Sequence, residues 1–205
     1  MNESHWESIW INKKSYQWSW QQPHLKKSLE LIQKTGMGED AQVIDVGGGA
    51  STLVDDLLER KFKNIMVVDI SQEALSLSKS RLGLSANQVI WIQADITRVQ
   101  LPPTSFDIWH DRAFFHFFTS RDDRKRYLQV LTTSLKQGGY AVIATFGLRG
   151  PEKCSGLPIV RYSPQSLLTE LGPGFKLQEN LEEDHLTPSG VRQHFIYCLF
   201  SKLSK

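Results

Sequence analysis

Val43-Ile44-Asp45-Val46-Gly47-Gly48-Gly49-Ala50-Ser51 decides the fold of this chain. An apolar strand runs into a glycine turn, and a helical pattern follows through Leu53, Leu57 and Leu58. Glycine lets a backbone approach a ligand closely, because no Cβ stands in the way. A second apolar run ends in Val67-Val68-Asp69. A carboxylate at such a strand tip can accept from both hydroxyls of a ribose. Asp69 follows Asp45 at the spacing of roughly 20 residues expected of a nucleotide-type βαβ unit.

Working outward, the strand–helix alternation continues. Upstream, Leu25, Leu29 and Ile32 mark a helix that stops near Gly36 and Gly38. Downstream, Ser71 caps a helix through Ala74, Leu75 and Leu77, and Gly83 ends it. Val89-Ile90-Trp91-Ile92 reads as a third strand and Phe106 to Trp109 as a fourth, with His110-Asp111-Arg112 following it. A helix capped by Ser120 runs to Leu135 and stops at Gly138-Gly139; Tyr140 to Phe146 form the fifth strand. This order predicts a parallel sheet covered on both faces. Residues 147–162 form a long Gly- and Pro-rich connection, and Ser163-Pro164 starts a short helix. Phe175 to Glu183 and His194 to Phe200 read as two antiparallel strands, since their connection is too short for a crossover helix.

Composition narrows the class. The chain has 205 residues, 40% hydrophobic and 22% charged, with a net charge of +2. One domain is expected over 1–205: an aromatic and helical segment 1–38, a core 42–146, and a loop and hairpin 147–205. The near balance of charge gives no reason to expect nucleic acid or an anionic membrane as partner. Cys154 and Cys198 lie in dissimilar segments, so neither a disulfide framework nor a metal site is expected. No hydrophobic signal region opens the chain, and no apolar run approaches the ~20 residues of a membrane helix. A cytoplasmic protein is the expectation.

Asp45-x-Gly47-x-Gly49, Asp69, Gln93-Ala94-Asp95-Ile96 and Gly138-Gly139, in this order and ahead of a final hairpin, resemble the class I S-adenosylmethionine-dependent methyltransferases over nearly the whole chain. The resemblance implies a Rossmann-like α/β fold with a seven-stranded, mostly parallel sheet. Its order would be 3-2-1-4-5-7-6, with strand 7 antiparallel and helices on both faces. The implied cofactor is S-adenosyl-L-methionine, with S-adenosyl-L-homocysteine as product. By the same resemblance, Gly47 and Gly49 lie under the methionine part and Asp45 organises its ammonium contacts. Asp69 takes the ribose, Asp95 the adenine amine, and Ile70 and Ile96 pack on the ring; His110 and Asp111 come near the methyl group. A nicotinamide enzyme is less favoured, because Thr52 stands where its third glycine belongs.

Three segments are candidates for the acceptor side. Trp18 and Trp20, with Tyr16, can close over the cofactor, since π faces attract cations; Trp6 and Trp10 can instead pack a helix onto the body. In Trp109-His110-Asp111-Arg112-Ala113-Phe114-Phe115-His116-Phe117, His110 or His116 can act as base, Asp111 can orient a substrate and Arg112 can bind a carboxylate. In the 147–162 connection, Cys154, Arg161 and Tyr162 are candidate substrate contacts. The Trp-His-Asp-Arg-Ala and Glu-Lys-Cys-Ser-Gly-Leu-Pro runs resemble small bacterial-type methyltransferases and, distantly, lysine-directed methyltransferases of the methyltransferase-like group. The expected acceptor is a small molecule, with a protein lysine, or cofactor binding without chemistry, as alternatives.

Overall fold

Strands in the middle of a parallel sheet are buried on both faces and need near-continuous apolar runs, which Val43 to Val46 and Ile65 to Val68 supply. The computed structural model describes residues 2–12 and 20–204. It opens with helices α1 (Glu3–Asn12) and α2 (Lys26–Lys34). The alternating core follows: β1 (Gln42–Val46), α3 (Leu53–Glu59), β2 (Asn64–Asp69), α4 (Gln72–Leu82), β3 (Val89–Gln93), β4 (Phe106–Arg112), α5 (Arg121–Ser134) and β5 (Leu135–Phe146). A two-stranded ribbon, β6 (Lys153–Cys154) and β7 (Leu157–Pro158), precedes α6 (Pro164–Leu171) and the hairpin of β8 (Phe175–Leu186) and β9 (Arg192–Lys202).

The sheet order is β3-β2-β1-β4-β5-β9-β8. With the small ribbon set aside, this is the expected 3-2-1-4-5-7-6. Only β9 runs against the others, pairing antiparallel with both β5 and β8. One apolar layer joins Leu29 and Ile32 of α2 and Leu57 of α3 to Val43, Ile108 and Phe146. The other joins Tyr127 and Leu131 of α5 and Leu167 of α6 to Ile44, Trp109 and Ile143.

Two boundaries differ from the sequence reading. β4 continues through His110, Asp111 and Arg112, which pair with β5 at Val142, Ile143 and Ala144. Side chains there alternate between faces, and that alternation governs the site. β5 begins directly after α5, and its register against β4 jumps from Phe106↔Leu135 to Ile108↔Tyr140. Gly138 (φ +71°) falls within this bulge, so the glycine pair serves a strand irregularity rather than a helix stop. At α6, Ser163 and Ser166 form a reciprocal capping box with Pro164 at the first turn.

Candidate active site

The turn after β1 is packed without space for side chains. A Cβ on Gly47 (φ +66°) would stand 2.3 Å from the Phe114 ring, and one on Gly48 2.5 Å from Asp45 Oδ2. Backbone therefore forms this part of the floor. Two adjoining cavities lie over it, sharing Trp10, Trp20, Gly47 and Arg112 in their walls. One adds Asp45, His110, Gln22 and Thr52. The other adds Asp69, Ile70, Phe114, Phe117 and Cys154.

Alternation along β4 sends His110 and Arg112 to the α2 side and Asp111 to the α5 side. His110 is buried between two partners: Nδ1 lies 2.7 Å from Asp45 Oδ1 and Nε2 2.8 Å from Ser28 Oγ of α2. A carboxylate only accepts, so Nδ1 donates to Asp45, and in the neutral ring Nε2 then accepts from the Ser28 hydroxyl. The second carboxylate oxygen, Asp45 Oδ2, is buried with no hydrogen-bond partner among the described residues. An unpaired buried acceptor beside a bare glycine turn suits an ammonium group.

Asp69 ends β2 with its carboxylate receiving the Ser71 amide at 2.9 Å. Burial pushes its carboxyl up to about 7, against the amides of Ser71, Gly49 and Ile70 and with the help of the Asp45 charge. A folded pKa above the unfolded one favours the protonated acid, so this group's contribution to stability is present at acid pH and lost as pH rises through 7. A ribose diol placed on Asp69 would donate to the ionised form, which would give its affinity the opposite trend. S-adenosylhomocysteine should bind about tenfold more tightly at about pH 8 than at about pH 6, read by titration calorimetry. A flat profile would remove Asp69 from the binding equilibrium.

Helix α1 lies across the ends of β2 and β3. The Glu7 carboxylate accepts the Gln72 amide (2.6 Å), the Ser71 hydroxyl (3.0 Å) and the Glu73 amide (3.3 Å), and so caps α4 from outside. Gln93 reaches Glu3 at 3.1 Å. Trp10 packs on Ala50 and Ala74 and meets Trp20 edge-on at 5.6 Å, while Trp6 meets Phe117 at 4.9 Å. Glu7→Ala should cost the α1 contact about 0.5–2 kcal/mol, the range for a lost cap. Faster amide exchange in residues 3–12 with the sheet unchanged is the expected readout.

The remaining sequence candidates fall into three groups. Asp45, Gly47, Asp69, Ile70, Trp20, His110, Arg112 and Cys154 line the two cavities. Others are engaged elsewhere. Asp111 is buried on the α5 side, accepting from Tyr127 Oη (2.7 Å) and the Phe115 amide (3.1 Å), and burial raises its carboxyl to about 7. It faces away from the cavities because of the strand alternation. His116 is fully buried and held down to about 3 by desolvation and the Arg112 charge, so its imidazole stays neutral. Arg161 clamps its own loop through the Leu148 and Gly150 carbonyls and Glu152. Tyr162 is a core side chain against Phe115. Asp95 accepts from the Thr97 amide and hydroxyl, Ile96 is buried in the α5-side core, and Gly49 packs against Asp69 and Ala74. Tyr16 and Trp18 lie outside the described residues. Sequence reasoning missed Ser28, although a lone serine on the apolar Leu25–Leu29–Ile32 face was a readable signal. It also missed Glu7 and Tyr197, whose partners lie far away in sequence.

The family described as a methyltransferase domain matches residues 44–143. EEF1A lysine methyltransferase 2 of Homo sapiens is 25% identical over 179 residues, covering 84% of this chain; the chain spans 66% of that protein's length. Two solved structures share the fold. One, reported for the conversion of a disulfide bond into a thioacetal group during echinomycin biosynthesis, has TM-score 0.77 and 17% identity over 98% of this chain and 93% of that one. The other is the Burkholderia thailandensis 1,6-didemethyltoxoflavin-N1-methyltransferase with bound 1,6-didemethyltoxoflavin and S-adenosylhomocysteine. It has TM-score 0.74 and 18% identity over 98% of this chain and 87% of that one. The free oxygen of Asp45, the bare turn at Gly47 and the strand-tip acid Asp69 suit the ammonium, the backbone approach and the ribose of S-adenosylmethionine. A methyltransferase domain thus spans residues 44–143, and the strand order around it is the one shared with S-adenosylmethionine-dependent methyltransferases of solved structure.

Proposed function

We propose that the protein transfers a methyl group from S-adenosylmethionine to a small-molecule nucleophile. The observation that carries this reading is the cavity beside Asp69, walled by Trp6, Trp10, Trp20, Phe114 and Phe117 and carrying the Arg112 guanidinium. Such a wall suits a compact acceptor, and the guanidinium disfavours a second cation such as a lysine ammonium. When bound, S-adenosylmethionine supplies an electrophilic methyl on a sulfonium. The chain's own residues hold and orient: Asp45 receives the ammonium, Asp69 the ribose hydroxyls, and the aromatic rings exclude water. Both nitrogens of His110 are already engaged, and His116 is a poor base at a pKa of about 3. Alignment is therefore the main contribution, worth up to roughly 7–11 kcal/mol in well-oriented reactions. The acceptor brings its own nucleophilicity.

A second reading, methylation of a protein lysine, is favoured by the sequence likeness to EEF1A lysine methyltransferase 2. Incubation with methyl-tritiated cofactor and cell extract separates the two. Label in the small-molecule fraction supports the first reading; protease-sensitive label at high mass replaces it with the second.

A further inference from the structure

Arg112 is the last residue of β4. The sheet places β4 between β1, which carries Asp45, and β5. Arg112 leans across β5 to β9: Nε donates to Tyr197 Oη at 2.9 Å, and Cζ sits 4.9 Å from the centre of the Phe195 ring. Nη1 donates to the Trp20 carbonyl at 2.8 Å. Tyr197 in turn donates to Glu183 at 2.6 Å, and Gln22 reaches the same carboxylate at 3.0 Å. The guanidinium is thus fixed on three sides. Its remaining nitrogen, Nη2, is buried with no partner among the described residues, in a side chain that lines both cavities. A buried charged donor left unpaired is costly, and the free edge of a guanidinium matches the two oxygens of a carboxylate.

We infer that the methyl acceptor is a carboxylate-bearing small molecule, anchored by its carboxylate on the free edge of Arg112. This rests on the small-molecule reading above. The carboxylate is an anchor and not the nucleophile, because pairing with the guanidinium draws on its charge and lowers its nucleophilicity. A separate atom of the acceptor forms the new bond to the methyl carbon. The carbon–sulfur bond breaks with its electron pair going to sulfur, and the carboxylate leaves unchanged.

The test uses trideuteromethyl S-adenosylmethionine, deproteinised cell extract and mass spectrometry of the labelled product. The expected product is an anion that loses carbon dioxide on fragmentation. Arg112→Gln should raise the KM for its unlabelled precursor about 10- to 100-fold, the effect of a lost charged hydrogen bond, and leave S-adenosylhomocysteine affinity within about twofold. That retained affinity also reports that the variant is folded. Should Arg112→Gln fail to fold, Arg112→Lys keeps the charge without the fork and should show a smaller rise. A labelled small molecule without a carboxylate, or a methyl ester, overturns the inference and leaves the small-molecule reading standing. So does a loss of affinity for S-adenosylhomocysteine but not for 5′-methylthioadenosine, which lacks the amino-acid part; Arg112 would then hold the cofactor's own carboxylate. Label confined to protein in whole extract overturns both.

Discussion

His110→Leu is expected to destabilise the protein by about 3 kcal/mol, the upper end of the range for stripping a hydrogen-bond partner from a buried group, because the acceptor left behind is a carboxylate. The leucine fits an apolar layer, so lost volume is not the reason. Asp45 would keep a carboxylate in the core with neither oxygen paired by a side chain, since Oδ2 already lacks a partner and Oδ1 depends on His110. Ser28 would lose its acceptor as well. The denaturant midpoint reads the change. His110→Gln, which can still donate to Asp45, should recover part of it. Wild-type stability in His110→Leu would mean that Asp45 finds another donor, and the buried triad would not be what fixes α2 against β1 and β4.

The second large effect is on the cofactor. Asp69→Ala should weaken S-adenosylhomocysteine by about 1–3 kcal/mol, or roughly 5- to 150-fold, since a carboxylate accepting from the ribose is removed. The loss should be greatest above pH 7, where the acid is ionised, and should shrink at lower pH as Asp69 protonates at about 7. Asp69→Asn separates charge from shape: one acceptor oxygen remains, and the pH dependence should disappear. An affinity equal to wild type in Asp69→Ala would place the ribose elsewhere.

Sequence made the glycine turn and strand-tip acid of the candidate site readable because these features are local. A strand, a bare turn and an acid at the next strand tip lie in consecutive elements, and Asp45, Gly47 and Asp69 all line the cavities. The rest of the candidate site depends on directions that composition does not carry. Reading the fourth strand as ending at Trp109 hid the alternation that turns His110 and Arg112 to one face and Asp111 to the other. Residue type alone made Arg161 and Arg112 equal candidates. Only the fold shows that Arg161 is spent on its own loop while Arg112 keeps an unpaired nitrogen. Ser28 and Glu7 act across long sequence separations, Ser28 on His110 and Glu7 on the start of α4. Pairings of that kind exist only once the sheet has assembled.

The most direct test of the account is amide hydrogen exchange, followed by mass spectrometry, with and without saturating S-adenosylhomocysteine at about pH 8. Protection should appear in residues 45–51 and 69–71, at the ends of β1 and β2, and in α1 above them. Protection confined to other segments, or none at saturation, would contradict the placement of the cofactor on Asp45, Gly47 and Asp69.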